Sequence, residues 1–182
     1  MKPLATTVVV AIALFGLVAA RPVTPGHATT ERAPDGHAFD GGARSAHELV
    51  EHFLEAVHAK DRDALRHLRV SEREYREIVV PGSVKPGEPP RQFTPEWVEF
   101  LWGSYETKNH YHEQDLLAAY GGKTLTLRKM SFAGGEHDYA TYKAHRRLVL
   151  GLTDDEGKDL TLEMGSIAEA GGQYKFLALG RD

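Results

Sequence analysis

The last third of the chain constrains the fold most, because it predicts four β-strands connected by tight turns. The strands are predicted at residues 123–132, 139–153, 158–169 and 173–180. In the second and third strands apolar residues occupy alternate positions, as expected for strands with one buried face. Such a sheet needs a second layer to cover its apolar face.

The hairpin between the last two predicted strands has the clearest turn sequence. Ala170-Gly171-Gly172 lies between two apolar runs, and paired glycines favour the tight turns of hairpins. In the first predicted strand the apolar phase shifts near Arg128-Lys129, which predicts a β-bulge there.

Residues 45–121 predict the covering layer as a series of helices. Ser45 and Glu48 have the spacing of a capping box, and apolar residues then recur at helical spacing to about residue 59. Ser71 and Glu74 repeat the box before a shorter helix, which a proline is expected to end. Helices first and an antiparallel sheet afterwards predict an α+β fold.

Thr94-Pro95 predicts the start of a helix that carries an aromatic stripe. We interpret the stripe as a core contact rather than a ligand platform. A further helix is predicted at residues 113–120, after a turn-rich junction near His110. The members of the stripe are Trp97, Phe100, Leu101, Tyr105 and, at its edge, Lys108.

Composition excludes several classes of protein. The chain has 182 residues, a net charge of −4 and no cysteine. The absence of cysteine excludes disulfides, thiol catalysis and zinc held by cysteine. The slightly acidic balance argues against a nucleic-acid partner, which usually leaves a basic footprint. No phosphate-binding glycine loop or nucleophile elbow is present, and no cofactor is predicted.

The N-terminal part divides into two segments before the predicted domain. Residues 1–20 have a basic start, an uncharged apolar run and small residues before Arg21, which predict a secretory signal peptide. Residues 21–44 are rich in proline and glycine and predict a flexible tether, followed by one domain at residues 45–182. We therefore expect an exported protein, periplasmic or secreted, that meets the membrane only if the first segment stays uncleaved.

Residues 45–180 resemble the nuclear-transport-factor-2-like fold, also called SnoaL-like, of the cystatin-like group. The helix at residues 49–57 and the ending Gly171-Gly172-Gln173-Tyr174-Lys175-Phe176-Leu177 carry this resemblance. Trp97-Val98-Glu99-Phe100-Leu101 and Gly165-Ser166-Ile167 are similar to stretches in uncharacterised exported bacterial proteins of this class.

The resemblance implies helices packed on a curved four-stranded antiparallel sheet, shaped as a cone, with a pocket between the layers. Members of that superfamily include isomerases, dehydratases, polyketide cyclases and domains that only bind or dimerise. The enzymes place an Asp or His base in the pocket, often with a tyrosine or second acid. These motifs indicate a fold and leave the activity open.

Four side chains are the candidates for a ligand pocket: Tyr142, Arg146, Trp97 and Met164. Arg146 is the clearest, because its position in the alternation places a charge on an apolar face, which is costly unless the charge is paired or solvated. Together with Tyr142, Arg146 would bind an anionic ligand in the pocket. The alternatives are that the face is exposed at Arg146 or that a local acid pairs with it.

Histidines supply a second, weaker set of candidates. His110, His112 and His145 could in principle hold zinc through their ring nitrogens, but their spacing does not require it, and solvated histidines explain it better. No metal site is therefore predicted. His137-Asp138 does not predict an acid–base pair either, because neighbouring residues rarely point at one target.

The sequence contains no motif that identifies a reaction. Our first hypothesis is an exported domain without catalytic activity that binds a small-molecule ligand or a protein partner, or forms a homodimer through its sheet. The alternative is a small-pocket enzyme of the isomerase or dehydratase kind. Convergent titratable groups in an enclosed cavity would favour the enzyme.

Overall fold

The computed structural model describes residues 37–181, and these residues form an α+β fold as predicted. Its helical elements are α1 (Ala46–Ala59), α2 (Arg62–His67), α3 (Glu72–Glu74), a π-helical segment (Tyr75–Val79), α4 (Val80–Gly82) and α5 (Pro95–Tyr120). Its strands are β1 (Thr126–Phe132), β2 (Glu136–Asp138), β3 (Lys143–His145), β4 (Leu148–Thr153), β5 (Asp159–Glu163), β6 (Ile167–Ala170) and β7 (Gln173–Phe176).

The strands form two antiparallel sheets instead of one sheet of four long strands. One has the order β1-β4-β5 and the other β2-β3-β6-β7. The second predicted strand is divided into β3 and β4, because Arg147 adopts a left-handed backbone with φ +56° between them. Backbone hydrogen bonds continue at the break, where the Leu148 amide donates to Gly165 (2.9 Å) and the Arg146 amide to Gly135 (2.8 Å).

Two local predictions for the strands are confirmed. The register between β1 and β4 shifts between Leu127 and Lys129, which is the expected irregularity. β6 and β7 form the predicted hairpin, in which Gly171 and Gly172 have φ of +59° and +75°. Positive φ at both central positions is the geometry of the turn that glycine pairs favour.

Side-chain caps begin the helices where the sequence predicts them. The Ser45 hydroxyl accepts a hydrogen bond from the Glu48 amide (3.1 Å), and the Ser71–Glu74 box is complete. Glu48 turns to Arg44 instead of Ser45, because it accepts from both the side chain and the amide of Arg44. These hydrogen bonds lower the pKa of Glu48 to about 2.

Helix α5 runs unbroken for 26 residues, so the predicted junction near His110 is wrong. The stretch lacks glycine and proline after Gly103, and nothing in its backbone requires a turn. Asn109, Glu113 and Leu116 are the buried residues of α5, at helical spacing across the expected break. Packing of this face therefore keeps the helix continuous.

The apolar core has two clusters, and the four-stranded sheet lies between them. Ile167 and Phe176 point from the sheet into the first cluster with α1, where the rings of Phe53 and Phe176 lie 5.3 Å apart. Ala144 and Ala168 point to the opposite side, into the second cluster. Each fully buried large side chain contributes roughly 1.5–3 kcal/mol. The second cluster consists of Phe39, Val70, Ile78, Val79, Tyr142, Ala144, Ala168 and Ala170.

The packed part of the chain begins before residue 45. Phe39 and Ala43 are buried, and Ala43 exchanges backbone hydrogen bonds with Tyr174 of β7 at 3.1 and 2.8 Å. Residues 37–44, expected to belong to a flexible tether, are therefore held by the sheet. The predicted signal peptide and the rest of the tether lie outside the described residues. Within residues 37–181, no helix is long and apolar enough to cross a membrane.

Candidate functional site

Arg146 does not point into the protein as its place in the alternation suggests. It is exposed at the break between β3 and β4, whereas Ala144 and Leu148 on either side of it are buried. The left-handed Arg147 interrupts the two-residue period, so that Ala144 before it packs in the second cluster and Leu148 after it packs in the first. The exposed alternative for Arg146 is the one that the structure adopts.

The other three pocket candidates lie in separate surroundings. Tyr142 is buried in the second cluster, stacked on Tyr139 with ring centroids 4.7 Å apart, and Met164 is buried in the first cluster. Trp97 is 47% exposed on α5 and stacks on Phe100, which is 59% exposed. The structure thus does not bring the four candidates together. The core interpretation of the aromatic stripe is wrong for Trp97 and Phe100.

One cavity, which we call the main cavity of this site, lies between α5, the π-helical segment and the residues that follow β7. Its volume is about 500 Å³, within the roughly 300–1,000 Å³ of small-molecule sites. The floor comes from Leu177, Ala178 and Gly180, and the long wall comes from α5. The α5 residues that line it are Leu101, Ser104, Tyr105, Lys108, Asn109 and His112.

A second cavity of about 400 Å³ adjoins the first towards the start of α5. Tyr75, Val79 and Leu101 line both cavities, and Trp97 and Arg91 line only the second. We call the two cavities together the α5 groove. From Trp97 to His112 it follows 15 residues of helix, or about 22 Å at the ordinary helical rise.

An aromatic group forms the inner wall of the α5 groove. The ring of Tyr75 lies 4.9 Å from Tyr105 and 5.5 Å from Trp102, centroid to centroid. Burial raises the pKa of Tyr105, whose hydroxyl donates to the Val70 carbonyl at 3.4 Å. The raised pKa keeps the phenol protonated, and the hydrogen bond occupies its hydroxyl. Tyr105 therefore contributes mainly apolar ring surface to the groove.

Asn109 fixes the floor of the groove to α5. Its side-chain oxygen accepts a hydrogen bond from the Leu179 amide at 2.9 Å, and its nitrogen donates to the Tyr105 carbonyl at 3.1 Å. Asn109 is only 2% exposed, so these bonds satisfy a buried amide. The segment after β7 is therefore held at a fixed distance from the helix.

The charged side chains that line the groove are basic, and none is acidic. Lys108, His112 and Arg181 line the main cavity and Arg91 the second, whereas neither cavity is lined by an aspartate or glutamate. Arg181 pairs with Glu163 at 3.1 Å. Among the described residues Lys108 has no carboxylate within salt-bridge distance. The groove offers cations and apolar surface to a ligand.

A second set of titratable groups lies on the four-stranded sheet, away from the groove. His145 Nε2 is 3.0 Å from Glu169 Oε2, and its Nδ1 is 3.3 Å from Glu136 Oε1. Burial and the Glu169 carboxylate raise the pKa of Tyr174 to about 12. His110 and His112 lie apart from this set on α5. In residues 37–181 no group of three or more His, Asp or Glu side chains is arranged to hold a metal ion.

Sequence reasoning missed most of the residues that form the groove. The helical stripe from Trp97 through Leu101 and Tyr105 to Lys108 was recognisable, and it is the wall of the groove rather than a core face. No sequence pattern identified Tyr75 or Asn109 as part of a binding site. Their importance comes from contacts with distant segments.

Comparison with known proteins provides no relative from which a function could be transferred. No protein-family model, no curated protein and no solved structure matches the chain. The functional assignment therefore depends on the geometry of the groove.

Proposed function

We propose that this protein is a ligand-binding domain without catalytic activity, and that the α5 groove binds a small, mainly apolar molecule. The observation that carries the proposal is the main cavity of about 500 Å³, lined mainly by apolar and aromatic side chains with a few polar groups. Pockets of this composition are the usual sites for small ligands.

The start of α5 supports the proposal, because it is sparsely covered. Between Pro95 and Lys108 the helix has no fully buried residue, although this stretch contains Trp97, Phe100 and Trp102. Exposed aromatic side chains beside a cavity are costly to leave in water and favour a binding role. A ligand in the groove would cover part of this surface.

The enzyme alternative has less support. An isomerase or dehydratase needs a positioned base, usually with a second acid, at the reacting atoms. Neither cavity of the α5 groove is lined by a carboxylate, and the hydroxyl of Tyr105 donates to the Val70 carbonyl. His145 and Glu169 do form a close pair, but they line neither part of the groove.

The membership of the nuclear-transport-factor-2-like group also remains a proposal. In its favour, backbone hydrogen bonds continue where the chain passes from one sheet to the other, from Arg146 to Gly135 and from Leu148 to Gly165. Such continuous pairing would be needed for the single curved sheet of the cone-shaped, cystatin-like fold. An experimental structure superposed on members of the group would test it.

Export is likewise proposed from residues 1–20 alone. Expression of the full chain in a bacterium, with fractionation and N-terminal sequencing of the product, tests it. We expect cleavage after Ala20 and recovery outside the cytoplasm. An intact Met1 in the cytoplasmic fraction would contradict export.

Ligand binding is tested with N-phenyl-1-naphthylamine, a neutral apolar probe that fluoresces when it leaves water. We expect saturable binding of one probe per chain. Ser104→Trp should abolish it, because Ser104 lines the main cavity and an indole there fills the space. Circular dichroism and thermal unfolding show whether each variant is folded.

Gly103→Trp is the matched control. It places the same indole one residue earlier, where the glycine is exposed and an added Cβ would meet no atom within 4 Å. This variant should bind the probe as the parent does. Absence of binding to the parent chain, or equal binding to both variants, would contradict the proposal.

A further inference from the structure

The basic side chains of the main cavity lie together at one part of it. Lys108 and His112 are one helical turn apart on the same side of α5, and Arg181 approaches from the segment after β7. Leu101 lies seven residues before Lys108, about 10 Å along the helix. The main cavity therefore has a cationic side and an apolar side.

This concentration of cations opposes the charge of the whole chain, which has 26 acidic and 22 basic residues. Two carboxylates of α5 pair with arginines that do not line the groove: Glu106 with Arg69 at 3.2 Å, and Glu99 with Arg76. Neither Glu99 nor Glu106 lines the groove. The charged side chains that line the groove are therefore basic, although the protein as a whole is acidic.

Of the cations that line the main cavity, Lys108 is the most available to a ligand, whereas Arg91 lines the second cavity. Lys108 is exposed at the rim, and among residues 37–181 no carboxylate lies within 4 Å of its ammonium group. Arg181 is shared with Glu163 at 3.1 Å, and His112 packs its ring against Gly180. An anion at Lys108 would complete a pair that the described residues leave open.

We propose that the ligand is an amphipathic anion, whose apolar chain lies along Leu101, Val79 and Leu177 and whose anionic group lies at Lys108. The inference rests on the proposed function, because it specifies the ligand class of the same groove. Charge-assisted hydrogen bonds from Lys108 to the anionic group would fix the orientation of the chain.

Three probes with the same twelve-carbon chain test the inference: dodecanoate, dodecan-1-ol and dodecyltrimethylammonium, each below its micellar concentration. Their affinities are measured by displacement of N-phenyl-1-naphthylamine at low salt. We expect dodecanoate to bind roughly tenfold tighter than the alcohol, the difference that a charged hydrogen bond typically makes, and the cation to bind weakest. Added salt should reduce the preference.

The variant Lys108→Gln tests whether Lys108 causes the preference for dodecanoate over dodecan-1-ol. It should remove the preference for dodecanoate and leave the affinity for dodecan-1-ol within about twofold. Lys158→Gln, at an exposed lysine in the turn between β4 and β5, is the control and should change neither affinity.

The outcomes distinguish failure of the anionic ligand class from failure of the groove as a ligand site. Equal affinity for all three probes, or an unchanged dodecanoate preference in Lys108→Gln, would overturn the anionic class while the apolar groove stands. Failure of every probe and of the naphthylamine itself would overturn the groove as a ligand site, and the inference with it.

Discussion

Glu74 and Lys175 form an ion pair in the protein interior, although 101 positions separate them in the sequence. The Lys175 ammonium lies 3.0 Å from both oxygens of the Glu74 carboxylate, and the residues are 2% and 5% exposed. The same carboxylate accepts hydrogen bonds from the amides of Asp40 and Ser71, each at 2.7 Å. One side chain therefore joins α3, β7 and the segment before α1.

Loss of the ammonium group should destabilise the fold strongly. Lys175→Met leaves the Glu74 charge buried without its counter-ion, and such changes typically cost about 3–5 kcal/mol. Lys143→Met is the control, since Lys143 pairs with Glu136 and Asp138 at the surface and should contribute at most about 1 kcal/mol. Urea unfolding of both variants measures the difference. Similar losses would contradict the buried role.

Glu74 should also make stability depend on pH at the acid end. Burial raises the pKa of Glu74, but hydrogen bonds from Ser71, Asp40 and Lys175 outweigh it and hold that pKa below its usual value. Because the folded state binds the proton more weakly, this stabilisation is complete above the unfolded pKa of about 4.3 and is lost as pH falls through the lower folded pKa.

Glu74→Gln tests that dependence. The variant should be less stable than the parent near neutrality, and its urea midpoint should fall less steeply between pH 6 and pH 3. Parallel profiles for the two proteins would show that Glu74 does not carry the proton linkage.

Glu113 is a buried carboxylate of the opposite kind. Its side chain is fully buried, and neither oxygen has a hydrogen-bond partner among the described residues. Its nearest cations, Arg62 at 3.5 Å and Arg66 at 4.0 Å, are about half exposed. Glu113→Leu should raise the free energy of unfolding by about 1 kcal/mol or more, because the arginines can return to water.

Glu106→Leu, on the same helix, should lower the free energy of unfolding instead of raising it. It removes the partner of Arg69, which is only 4% exposed and cannot reach solvent. We expect a loss of stability. Chemical unfolding of both variants measures the two changes in stability. A loss of stability in Glu113→Leu would contradict the difference predicted between the two carboxylates.

Asn109→Leu should detach the floor of the groove. The substitution leaves the Leu179 amide without its acceptor, at a cost of about 1–3 kcal/mol. Hydrogen exchange at the Leu179 amide should accelerate more than exchange in α1. Gln114→Leu is the control, because its bond to His110 is exposed. Unchanged exchange at Leu179 would contradict the assigned role of Asn109.

Gly180→Ala should be coupled to His112. A methyl group at residue 180 would lie 2.1 Å from the His112 ring, a distance that forces the ring to move. Overpacking of this kind typically costs about 1–3 kcal/mol. In a His112→Ala background most of the cost should disappear. A double-mutant cycle from thermal unfolding measures the coupling, and additive effects would show that the two residues are independent.

Local sequence signals predicted the parts of the fold that depend on near neighbours. The caps at Ser45, Ser71 and Thr94 and the Gly171-Gly172 hairpin are confirmed, because each is decided by atoms within a few residues. The alternation that buries Leu148, Leu150 and Leu152 is confirmed for the same reason. These signals were sufficient to establish the α+β class.

The predictions that were wrong involve interactions between distant segments. For Arg146, the alternation of the second predicted strand left both a pocket and an exposed position open, and the structure exposes it beside the left-handed Arg147. The predicted junction near His110 is absent, because Asn109 and Glu113 pack against other segments and hold α5 together.

The sequence by itself determined the class of the fold, the positions of its caps and turns, and the apolar faces of its strands, because period and local hydrogen bonding are properties of adjacent residues. The tertiary structure alone decided the candidate site. It placed Tyr75, Leu177 and Gly180 beside the side of α5 that carries Lys108. Nothing in the spacing of those residues reveals that they meet, since their proximity depends on how the helix and the segment after β7 pack together.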